Sequence, residues 1–163
     1  NGGKVQFLRP HVIHLMRGQV FTLEGHTFFT MGGAASHDIE DGILDPAAPD
    51  YYERLFRLLG ENRRQYRIVG QSWWPEELPS EEEYTEARRN LDAHSWEVDY
   101  IITHSPPGGI AEGLGRPRDT LTDFLEEVRQ KAGYRCWLFG HCHGNQEIDE
   151  KHLLLWEQIV RVI

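Results

Sequence analysis

Val98-Asp99-Tyr100-Ile101-Ile102-Thr103-His104-Ser105-Pro106-Pro107 and Tyr134-Arg135-Cys136-Trp137-Leu138-Phe139-Gly140-His141-Cys142-His143 decide how this chain is read. In each stretch a short, nearly continuous apolar run arrives at histidine and then meets Gly or Pro. Residues 98–103 and 134–139 have the length and composition of strands buried on both faces. The Gly and Pro residues turn the chain away at their carboxyl ends. In layered α/β proteins that edge is where functional groups collect. Two such strands lying side by side in one sheet would bring His104 and His141 together.

The spacing within Gly140-His141-Cys142-His143 sharpens this expectation. In an extended segment alternate residues face the same side, which sends His141 and His143 toward one cavity and Cys142 away from it. Three neutral imidazoles form a borderline-soft nitrogen site suited to zinc, manganese or iron. Packed together without a metal or a partner they would cost free energy. His11, His14, His26, His94 and His152 have no clustered partner and read as surface or hydrogen-bonded residues. His37, with Asp38, reads as part of a loop.

Outward from these two strands, the chain begins with four strand-like segments, at residues 5–8, 11–16, 19–23 and 26–31. Their even spacing predicts antiparallel strands joined by tight turns. Gly32-Gly33-Ala34-Ala35-Ser36 follows, a turn whose small residues fit a close approach of the backbone. Tyr52, Leu55, Phe56 and Leu59 recur at helical spacing, with Asp50 and Glu53 in a capping-box pattern and Gly60 as a stop. Residues 68–78, with Trp73-Trp74-Pro75, read as an irregular aromatic loop. A second helix is expected over 80–92, capped by Ser80 and Glu83 and carrying Tyr84, Ala87 and Leu91. A third starts at Asp119, carries Leu121, Phe124, Leu125 and Val128, and ends at Gly133. Residues 146–148 and 152–163 read as strands.

Composition removes several functional classes. Hydrophobic residues are 39% and charged residues 26%, too apolar for a disordered chain and too polar for a membrane protein. No apolar run approaches the roughly 20 residues of a membrane span. With 17 Lys and Arg against 26 Asp and Glu, the formal charge of −9 disfavours polyanions and anionic membranes. A small phosphorylated substrate remains compatible if metal ions supply local positive charge. Cys136 and Cys142 make no disulfide framework and no CxxC pair, so a cytoplasmic location is expected. The first ten residues carry no secretory pattern, and Asn at position 1 points to an upstream segment.

Thr103-His104-Ser105-Pro106-Pro107 and Gly140-His141-Cys142-His143 resemble the carboxyl-terminal signatures of calcineurin-like metallophosphoesterases, the second being their GHxH motif. The Gly32–Ser36 turn, Trp73-Trp74-Pro75-Glu76-Glu77 and Leu154-Leu155-Trp156 resemble a bacterial branch of that family. The resemblance runs over essentially the whole chain. It implies an α/β (α+β) fold, a partial αββα sandwich of mixed sheets flanked by helices. It also implies hydrolysis of phosphate esters at a dinuclear centre of divalent ions (Mn, Fe or Zn), with His104 and His141 on one metal and His143 on the other.

The family's DxH, GDxxD and GNH[DE] motifs do not occur in this chain, and Asp38-Ile39-Glu40-Asp41 does not replace them. The resemblance therefore implies that residues 1–163 are the carboxyl-terminal portion of a single metallophosphoesterase domain. Such a portion would be inactive alone and would hold at most one ion weakly. Its catalytic acid is not among these residues, and His37 and Asp38 are the candidates on the substrate side. A second copy of the chain is expected to cover the faces that the missing half would have covered. The alternative is a non-catalytic binding or scaffold module that keeps the phosphoesterase shape. A zinc hydrolase of another class lacks its HxHxDH or HExxH signature.

Overall fold

The structure is a computed structural model that describes residues 2–162. In chain order the elements are β1 (Val5–Arg9), β2 (Val12–Leu15), β3 (Gln19–Leu23), β4 (His26–Met31), β5 (Gly42–Leu44), α1 (Tyr51–Gly60) and β6 (Tyr66–Ile68). After a 3-10 turn (Pro75–Glu77) come α2 (Glu81–Ala93), β7 (Tyr100–Thr103), α3 (Gly108–Gly113), α4 (Thr120–Lys131), β8 (Cys136–Phe139), β9 (Gln146–Glu147) and β10 (His152–Leu154). They form two compact units, one from residues up to Ala34 together with those from Pro79 onward, the other Ala35–Leu78. Among the described residues no helix is long and apolar enough to cross a membrane.

The first unit is built on a six-stranded mixed sheet flanked by helices, with order β3-β4-β7-β8-β10-β9. Strands β4, β7, β8 and β10 run parallel, with β3 and β9 antiparallel at the two edges. The two decisive strands of the sequence are thus neighbours, with Ile101 opposite Trp137. The register places Val20, Phe29, Ile101, Trp137 and His152 in one row across five strands, and every member of that row is buried.

Helix α2 starts where the sequence places it, because Ser80 and Glu83 form the reciprocal capping box. Tyr84, Ala87 and Leu91 are its buried face, and Tyr84 packs on Phe124 of α4 at 5.0 Å. Gly18 lets the chain come close to α2. Its φ is +72°, and a methyl group there would lie 3.2 Å from the Ala87 side chain. Helix α4 is capped by Asp119, which accepts from the Thr122 amide, and ends at Lys131, two residues short of Gly133.

The four amino-terminal segments do pair as antiparallel strands, in two hairpins, β1–β2 as its own ribbon and β3–β4 within the main sheet. Other expectations need correction. Strand β7 is not buried throughout, since Ile102 is 38% exposed. After Leu154 the chain leaves the sheet, so only part of 152–163 is strand; Ile163 lies outside the described residues. Helix α3 was not anticipated; six residues beginning Gly-Gly carry almost no helical signal.

In the second unit, β5 pairs parallel with β6. Neither three-residue strand was legible in the pattern, and β6 overlaps the stretch expected to be irregular. Helix α1 forms as expected but without its capping box. Asp50 sits at φ −93° and ψ 8°, away from the extended conformation from which a capping side chain reaches back. The anticipated apolar stripe is largely outside: Tyr52 and Phe56 are 68% and 66% exposed, and Leu58 is the helix's buried residue.

Candidate functional site

The carboxyl ends of β7 and β8 carry the three singled-out histidines, and the core beneath fixes where the chain turns. Trp137 Nε1 donates to Thr103 Oγ1 at 2.8 Å, and that hydroxyl donates to the Ser105 carbonyl at 2.7 Å. The buried Ser105 hydroxyl in turn donates to the Gly33 carbonyl at 2.9 Å. The glycine turn after β4 is thereby tied to the His104 turn after β7, the close approach its small residues fitted. Gly33 has φ +120°, which a side chain would strain.

On the neighbouring strand, the Gly140 amide donates to the His104 carbonyl at 3.0 Å, and the Leu155 amide to the Phe139 carbonyl at 2.8 Å. Gly140 therefore lies between the His104 turn and the chain leaving β10. A methyl group on it would sit 3.7 Å from His104 Nδ1 and 3.5 Å from the Leu155 carbonyl oxygen.

The 141–143 segment is not extended, so the alternation argument does not describe it. His141 and His143 both occupy the left-handed region, at φ +66° and +49°, and the Cys142 amide closes a tight turn onto the Gly140 carbonyl at 2.7 Å. Two non-glycine residues in that region within three positions is strain of the kind concentrated at functional sites.

The turn still delivers His141 to His104: their rings meet edge to face, with centroids 5.1 Å apart. His143 stacks on Trp156, centroids 5.5 Å apart and planes 17° from parallel. Asn145 holds this second pair, its Oδ1 accepting from the Trp156 amide at 2.8 Å and the Glu157 amide at 3.3 Å.

His104 is exposed as a residue, yet its ring end is crowded. Lost hydration there, with the His143 imidazole nearby, pulls it below the ordinary histidine value. It is therefore neutral at pH 7, the form in which imidazole donates to a metal. Burial pushes the Cys142 thiol up and outweighs the pull of Arg116.

Among the described residues, no group of three or more His, Cys, Asp or Glu side chains is arranged to hold a metal ion. A dinuclear centre does not fit what this chain assembles, two imidazoles in contact and a third against an indole. His37 and Asp38 belong to the second unit. There Asp38 pairs with Arg67, and His37 is exposed. Asn145 is the residue that motif reading passed over; an amide just past a histidine turn is the available signal.

Comparison of the chain with family models, with curated proteins and with solved structures finds no match.

Proposed function

We propose that this chain is the carboxyl-terminal portion of a metallophosphoesterase domain and contributes His104, His141 and His143 to the hydrolysis of small phosphate esters. The supporting observation is the meeting of His104 and His141 at the carboxyl edge of two adjacent parallel strands. The left-handed backbone at His141 and His143 adds to it. The two divalent ions of such chemistry need ligands beyond those this chain brings together. Turnover accordingly belongs to a longer protein that supplies them.

The test is hydrolysis of a chromogenic phosphodiester with Mn²⁺. The longer protein should lose at least about a hundredfold in kcat/KM on His104→Ala or His141→Ala. The chain alone should show no turnover above background. Unchanged rates in both variants would contradict the proposal.

A second reading has its own support. The lack of a three-donor group among the described residues favours a non-catalytic binding or scaffold module. A longer protein without phosphoesterase activity under any of the three metals would establish it.

A further inference from the structure

We infer that Trp156 and Asn145 form a clasp that positions the His143 ring. This inference rests on the reading of His143 as a residue of the site. An imidazole on an exposed turn ordinarily samples several rotamers, and ordering it must offset the entropy so lost. His143 is exposed and sits on a turn, with its own backbone at φ +49°. The stacked indole supplies a flat wall for it. That wall needs support of its own, because Trp156 is 58% exposed and lies past the end of β10, outside any strand.

The support comes from Asn145, two residues beyond His143. Its one side-chain carbonyl oxygen takes both the Trp156 and Glu157 amides. The same amino-acid run that turns the chain at His143 therefore reaches across and ties down the residue His143 stacks upon. Gly144 completes the loop by permitting a close approach, since a methyl group there would lie 3.1 Å from Leu154 Cδ2. The histidine, glycine and asparagine of residues 143–145 each meet the 154–157 segment at a different point. Trp156 is thus a positioning residue that acts through His143, and Asn145 acts through Trp156.

Proton NMR of the histidine rings in the whole chain tests this without requiring activity or metal. The His143 ring protons are expected upfield of free histidine, because they lie over the indole. Trp156→Ala and Asn145→Ala should each return them to the free position, with the melting temperature close to wild type. Trp156→Phe, which keeps an aromatic wall, and Asn145→Asp, which keeps the acceptor, should retain most of the shift. A wild-type His143 without the upfield shift, a shift surviving Trp156→Ala, or one untouched by Asn145→Ala would overturn the clasp. Failure of the functional reading is separately visible: Co²⁺ would leave the His104 and His141 signals sharp while the ring-shift pattern stood.

Discussion

The two ends of the parallel strands treat histidine in opposite ways. At the amino end His152 is 4% exposed and fully engaged: Nδ1 lies 2.7 Å from Asp149 Oδ1 and Nε2 3.0 Å from the Tyr134 hydroxyl. Its ring also packs on Tyr134 and Trp137, and burial pushes the Tyr134 phenol up to about 12. At the carboxyl end His104 and His143 are exposed, His104 meets the His141 ring, His143 stacks on Trp156, and the backbone of His141 and His143 is left-handed. A histidine that serves the fold has its nitrogens occupied by a carboxylate and a phenol. Histidines gathered at a turn with strained backbone are the better candidates for chemistry.

The contrast breaks first on stability. Trp137→Ala, which removes a fully buried indole and its bond to Thr103, should cost about 3–5 kcal/mol in urea denaturation. His152→Ala should cost roughly 2–3 kcal/mol, because it removes a buried ring together with its bonds to Asp149 and Tyr134. At the other end, His104→Ala and His143→Ala should stay within about 0.5 kcal/mol of wild type. Equal costs at both ends would erase the distinction.

Acid sharpens it. Glu126 on α4 accepts from Arg129 and from the Gly109 amide in the first turn of α3, just past the His104 turn. The guanidinium is the main cause that brings its carboxyl down to about 2 from an ordinary 4.5. The folded value is below the unfolded one, so its stabilisation is fully present above pH 4.5 and is lost as pH falls through about 2. Roughly 2–3 kcal/mol should go over that window, allowing for the solvent around Arg129. Glu126→Gln should flatten the acid limb of the stability curve, and an unchanged limb would assign the loss to other carboxylates.

What the sequence disclosed followed how local each signal was. The Ser80–Glu83 box was readable because both partners and the backbone between them lie within one turn. Asp50–Glu53 has the same spacing but fails, since Asp50 lies outside the extended conformation from which its side chain would cap. That both apolar runs form strands was readable from their composition and the Gly and Pro that follow them, while their adjacency was only a condition of that reading and comes from the sheet order. The exposure of Ile102 was not readable, because burial of a strand's second face depends on what else packs there. The histidine trio was half legible: the strand ends place His104 and His141 together, while the left-handed turn that sends His143 to Trp156 has no signature in residue alternation.

Calorimetric titration of the isolated chain with Zn²⁺, repeated on His104→Ala and His141→Ala, bears most directly on the carboxyl-end histidines as a site for chemistry. Two imidazoles in contact should take up no more than one ion per chain, weakly, with Zn²⁺ ahead of Mn²⁺, and each substitution should abolish the uptake. Two tight sites per chain, or uptake that survives both substitutions, would contradict it.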